Sequence, residues 1–152
     1  MDLRIRKYIL YKVQNKDKNT SYLEKLKRLR NKMRAEIIDE SPEYMDGQPK
    51  GKGQTGDVTQ RKALKLIEVD RRIDHLEKEL EAIKSVEKRI DTMGKVVKDI
   101  YNETIKKECT DLTAKAQLIP MGRRQLIQGR AKLLEMFAAE MGEYIDIDSL
   151  DK

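Results

Sequence analysis

The chain has 152 residues, of which 39% are charged and 38% hydrophobic, with one Phe, no Trp, a formal net charge of +6 and a pI of about 9.3. This balance disfavours a large compact core and favours long solvated helices, in one ordinary domain or a small domain with helical extensions. A single Cys excludes an internal disulfide and points to a reducing cytoplasm, MDLRIRKYIL lacks the apolar core of a signal peptide, and no apolar run approaches the roughly 18 to 20 residues of a membrane span.

The expected fold is all-α. Residues 1–40 read as a basic helical arm with a weak point over Asn15 to Thr20, a stretch poor in helix formers. Leu3, Tyr8, Ile9, Leu10 and Val13 supply the first apolar positions. From Tyr22 the apolar residues Tyr22, Leu26, Leu29, Met33 and Ile37 step by four, three, four and four, which predicts one helix face. Cations alternate with them in KLKRLRNKMR. Lys27, Arg28 and Arg30 are therefore candidates for phosphate contact, the alternative being the solvated face of a packed helix.

Residues 41–58, SPEYMDGQPKGKGQTGDV, read as a linker dense in Pro and Gly. The GKGQTG run does not have the spacing of a phosphate-binding loop, and no strand precedes it. A helix over 59–94 should follow, opened near Asp57 or Thr59, since Asp57 and Gln60 have the spacing of a capping box. Val69, Ile73, Leu76, Leu80, Ile83 and Ile90 then keep heptad spacing, broken only by Glu87. Such a narrow seam needs a partner helix, either residues 22–38 folded back or the same helix of a second chain. His75 stands alone beside the seam and reads as an ordinary surface residue.

Gly94 should end or bend that helix. A third helix is expected from about Lys95 to Lys107, with Val97, Ile100, Tyr101 and Ile105 on one face. Cys109 has no His or second Cys near it in sequence and reads as inert. Thr110 or Asp111 can cap a short helix running to about Gln117, where Ala114 and Ala116 are small enough for a close helix crossing. Leu118 and Ile119 lead to a turn, with Pro120 as a stop and Gly122 as a sharp bend. In the next helix Ile127, Ala131, Leu134 and Phe137 should face inward, with Leu126 and Leu133 widening the stripe. Residues 143–152 form an acidic tail.

Residues 95–142 thus have the layout of a C-terminal helix-turn-helix domain, whose second helix enters the DNA major groove. Arg124, Gln125, Gln128 and Lys132 point away from the apolar stripe, and Arg and Gln are the side chains able to make bidentate contacts to guanine and adenine edges. Arg123 and Arg130 flank that face and suit phosphates. A plain helical hairpin with a solvated basic face has the same pattern.

The segment AQLIPMGRRQLIQGRAKLLEMFAAEMG resembles the C-terminal half of the RinA/ArpU-type phage transcriptional regulators. Ala116, Ile119, Met121, Gly122, Arg130 and Ala138 to Gly142 occupy the places of that family's pattern, and Ser41, Pro42, Tyr44, Pro49, Asp57 and Thr59 follow the order of its linker. The likeness covers about residues 41 to 142. The chain departs from the pattern at Leu112, where an aromatic residue is usual, and at Met141, where Leu is usual. The resemblance implies a sigma region 4-like helix-turn-helix, a role as phage or prophage transcriptional activator in a bacterial host, double-stranded DNA as partner, and contact with RNA polymerase. A homo-oligomer, with a dimer favoured, follows from the usual two-fold symmetry of helix-turn-helix proteins.

Two other classes fit the residues. A phage small terminase subunit is also a helical DNA-binding oligomer, but forms a ring and usually carries its helix-turn-helix near the N-terminus. A structural coiled-coil protein would have no DNA role. No paired carboxylates on a plausible scaffold, no metal-ligand cluster and no nucleophile beside a base suggest an enzyme, and no cofactor is expected.

Overall fold

A computed structural model of the chain describes residues 1–40, 54–109, 111–119, 121–142 and 145, and the side chains of these except 39, 40 and 54–57. The expected linker residues 41–53, the Thr110 cap, the Pro120 stop and, apart from Ile145, the acidic tail lie outside the described residues. So does the side chain of Asp57. Six helices carry the described residues, with no strand among them: α1 (Leu3–Gln14), α2 (Lys16–Glu40), α3 (Gln54–Thr92), α4 (Lys95–Thr104), α5 (Leu112–Leu118) and α6 (Arg123–Met141). The all-α expectation holds. Among the described residues no helix is long and apolar enough to cross a membrane.

The chain divides into two compact units. Met1–Asn19 and Lys78–Lys152 form unit 1, and Thr20–Glu77 forms unit 2. This division cuts across the segments expected from sequence, because the first helix joins the C-terminal residues instead of standing as part of an arm.

In unit 1, Asp2 caps α1 by accepting from the Arg4 N–H at 2.9 Å. Asn15 ends the helix, its Nδ2 donating to the Tyr11 carbonyl at 2.8 Å, and the break is confined to it, since the rest of the expected weak point, Lys16 to Thr20, is helical. Tyr8, Ile9 and Val13 are buried and join Ala82, Ile83, Val86 and Ile90 of α3, Ile100 and Tyr101 of α4, and Leu126, Leu133, Leu134, Phe137 and Met141 of α6 in one core. Glu79 is buried among them. It accepts from the Tyr8 hydroxyl, and Lys12 Nζ lies 3.0 Å from its Oε2 and 5.5 Å above the Tyr8 ring. At this depth the carboxylate is offset on each oxygen, Oε1 by the Tyr8 hydrogen bond and Oε2 by the Lys12 ammonium. The heptad seam alone does not anticipate Glu79, Ala82 and Val86. Here α3 buries a face broader than a two-stranded coiled coil needs, because more than one helix packs on it.

Glu87, the break in the heptad, is half-buried. It accepts from Lys16 Nζ at 2.6 Å on one oxygen and from the Tyr101 hydroxyl at 2.9 Å on the other. Helix α3 ends at Thr92, and Gly94 (φ 103) sits in the left-handed region that only glycine enters without penalty. Helix α4 is shorter than expected. It closes at Thr104, whose hydroxyl donates back to the Ile100 carbonyl at 2.6 Å.

In unit 2 the described parts of α2 and α3 pair antiparallel. Lys27 meets Glu77 at 2.8 Å, and Arg30 and Arg34 approach Asp70 at 3.8 and 3.6 Å. The heptad helix therefore finds its partner in residues 22–38 folded back, one of the two alternatives. The buried positions are Leu23, Leu26, Ile73 and Leu76. Tyr22 and Leu29, expected to face inward, are exposed. The seam of α2 runs through Leu23, Leu26, Arg30 and Ile37, so that a cation occupies an inward position and pairs with Asp70. Helix α3 begins at Gln54, ahead of the expected start at Asp57 or Thr59.

Candidate nucleic-acid interface

Helix α5 is fixed at both ends. The Asp111 carboxylate caps it by accepting from the Thr113 and Ala114 N–H groups at 2.9 and 3.3 Å. Ala116 is buried, as a close crossing with α6 requires, whereas Ala114 is exposed. Lys115 reaches Glu103 at 2.9 Å and ties α5 to α4. The Glu103 carboxyl is held below its ordinary range, first by the Lys115 hydrogen bond and then by the charge of Lys107. Ile119 is buried and Leu118 exposed. The Met121 N–H donates to the Ile119 carbonyl at 2.6 Å, a tight reversal between α5 and α6.

Gly122 precedes α6 with φ −69 and ψ 149, ordinary extended backbone, and a Cβ there would meet nothing within 4 Å. The turn therefore does not depend on glycine flexibility, contrary to expectation. What Gly122 does provide is an N-cap without a capping side chain. No acidic residue stands in the first turn of α6, and Arg123 and Arg124 are exposed there. Two cations at the positive end of a helix dipole oppose the dipole and cost local stability. An anion placed there would meet backbone N–H groups and guanidinium groups together.

Arg124, Gln125, Gln128 and Lys132 are all exposed. Their spacing keeps them on one face, opposite the buried Leu126, Leu133, Phe137 and Met141. The inward stripe is centred one residue earlier than expected. Ile127 is 40% exposed, and Leu126, Arg130, Leu133 and Phe137 follow one another at steps of four, three and four along the inner face.

Arg130 is accordingly half-buried, with its Nε donating to the Thr104 carbonyl at 3.3 Å. That bond ties α6 to the end of α4. Burial lowers the Arg130 pKa, the nearby Cys109 opposes the shift, and the charge of Arg6 adds to it. Arg6 itself has a buried Nε with no hydrogen-bond acceptor among the described residues. Sequence reasoning missed Arg6, because nothing in a linear pattern brings α1 beside α6.

Gly129 also escaped the sequence reading. A Cβ there would stand 2.9 Å from Ile100 Cδ1, so the glycine lets α4 approach the middle of α6. Of the candidates for phosphate contact in unit 2, Lys27 and Arg30 are engaged with Glu77 and Asp70. Arg28 is exposed, with no ion-pair partner among the described residues.

A polar cleft of about 560 Å³ in unit 1 is lined by Gln14, Lys16, Glu87, Tyr101, Glu103 and Lys107, among others. Its charges largely neutralise one another, Lys16 with Glu87 and Lys107 with Glu103 at 3.6 Å. No group of three or more His, Cys, Asp or Glu side chains among the described residues could hold a metal ion. Comparison with protein-family models, with characterised proteins and with solved structures gives no match to this chain.

Proposed function

We propose that the chain is a DNA-binding transcriptional activator of a phage or prophage, reading double-stranded DNA with the outer face of α6. The observation that carries this reading is the start of α6. An uncapped helix end with two exposed arginines and no acidic residue in its first turn is poor design for stability alone. It suits insertion into a groove lined by phosphates. In this reading Arg124, Gln125, Gln128 and Lys132 face base edges, and Arg123 faces phosphate. Arg130 braces α6 from within, and its charge with that of Arg6 adds to the field at that surface. Contact with RNA polymerase rests on the resemblance to sigma region 4 and follows only if DNA binding does.

Selection of duplexes from a random pool, followed by binding measurements, tests the proposal. Arg124→Ala and Gln128→Ala should each cost about 1 to 3 kcal/mol on the selected sequence and much less on unrelated DNA. Arg28→Ala should lower the slope of log affinity against log salt by somewhat under about one unit if unit 2 contacts phosphate. Full affinity in both α6 variants removes this helix from the groove. Absence of DNA binding favours the structural coiled-coil reading, and a ring-sized mass with DNA binding favours a small terminase subunit.

A further inference from the structure

Unit 2 is a hairpin of two helices whose common seam buries Leu23, Leu26, Ile73 and Leu76. The apolar surface of the hairpin is wider than that seam. On one side of it Tyr22, Leu29 and Met33 follow one another along α2 at steps of seven and four, with Tyr22 47% and Leu29 45% exposed. The same side of α3 carries Val58, which is 45% exposed, and the half-buried Val69. Between the helices runs a groove of about 520 Å³ whose apolar lining is Leu29, Met33 and Val69. An apolar strip along a two-helix hairpin is the surface that a four-helix bundle covers.

The charges at the edge of this groove identify its occupant. Glu36 and Glu68 stand there with Lys65 and Arg72. All four are exposed, and none has an ion-pair partner among the described residues. Lys62, the remaining lining residue, is already engaged. A nucleic acid would call for a cationic edge, and a strongly charged protein partner for an edge of one sign. Two carboxylates and two cations around an apolar floor make a surface complementary to itself. A two-fold interface demands this, because each patch meets its own copy.

We propose that two copies of this chain pair through this face of the α2–α3 hairpin, burying Tyr22, Leu29, Met33, Val58 and Val69 in a four-helix arrangement. The pairing stands whether or not the chain binds DNA. If it does, the dimer would present two copies of α6 to two half-sites.

Sedimentation of the full chain should give twice the 17.8 kDa protomer mass at micromolar concentration. Leu29→Glu should weaken the dimer by at least about tenfold, with helical circular dichroism retained, since a charge would be buried against the partner. Lys65→Glu with Arg72→Glu makes the edge acidic apart from Lys62, and Glu36→Lys with Glu68→Lys makes it wholly basic. Each double variant should dissociate at low salt, and the two should form a heterodimer when mixed. In a Cys109→Ser background, Leu29→Cys should form a disulfide-linked dimer on oxidation, while Asn31→Cys, on the outer side of α2, should not. A monomeric wild-type chain overturns the proposal. So does a dimer that survives Leu29→Glu and both edge variants without a Leu29→Cys cross-link.

Discussion

Tyr101 packs its ring on Phe137, with centroids 5.9 Å apart, and donates its hydroxyl to Glu87 at 2.9 Å. Burial first, and then the charge of Glu87, push the phenol well above its usual range near pH 10. A phenol whose folded pKa is raised stabilises the protein fully below its unfolded pKa. That stability is lost progressively as pH rises above about 10, where the unfolded chain ionises and the folded chain does not. The wild type should therefore lose unfolding free energy faster than Tyr101→Phe between about pH 10 and 12, as followed by denaturant melts. Equal slopes would mean that the phenol titrates normally. Single residues were the least legible part of the sequence. Arg130 is polar, so the expected stripe is centred on Ile127 and Ala131 with Leu126 and Leu133 at its edge, whereas the real one is centred on Leu126, Arg130 and Leu133. Nothing in the local sequence marks Glu79 as buried, because its partners Tyr8 and Lys12 lie far away along the chain.

The helices themselves were far more legible. The break at Asn15, the stop before Gly94, the Asp111 cap and the extents of α5 and α6 follow from propensity and capping rules acting within a few residues. Which helices touch was not legible, since that depends on contacts distant in sequence. Gly129 illustrates the difference. In an isolated helix it is a flaw worth about 1 kcal/mol relative to Ala, yet here it admits Ile100. Gly129→Leu should destabilise unit 1 by about 1 to 3 kcal/mol through overpacking against α4. Gly129→Ala should come out near neutral, the helix gain offset by displacement of the Ile100 Cδ1 methyl. Denaturant unfolding of both variants measures this, and a stable Gly129→Leu protein would mean that α4 yields without cost. The candidate interface was legible to the same degree. The exposed Arg124, Gln125, Gln128 and Lys132 share a face because helical spacing alone places them there, whereas Arg6 and the inward turn of Arg130 depend on tertiary packing.

At the scale of the whole chain, the sequence suggested an N-terminal arm and a C-terminal domain, and the contacts divide it otherwise. The apolar residues of α1 carry no label saying which helix they cover, and Tyr8, Ile9 and Val13 belong to the core that α6 completes. Unit 2 is one uninterrupted run, Thr20–Glu77, while unit 1 joins the two ends of the fold. This has a consequence for how the protein is made. On the ribosome the unit 2 hairpin can close as soon as its own residues emerge, but α1 must wait for α6. At about 5 to 20 residues per second the first helix spends several seconds with its apolar face uncovered, a window in which a chaperone or a neighbouring nascent chain can reach it. Ribosome-bound chains halted before Arg123 should therefore protect the paired stretches of α2 and α3 in unit 2 from protease while α1 is cut. Protection of α1 at that length would mean that α3 and α4 alone can hold it.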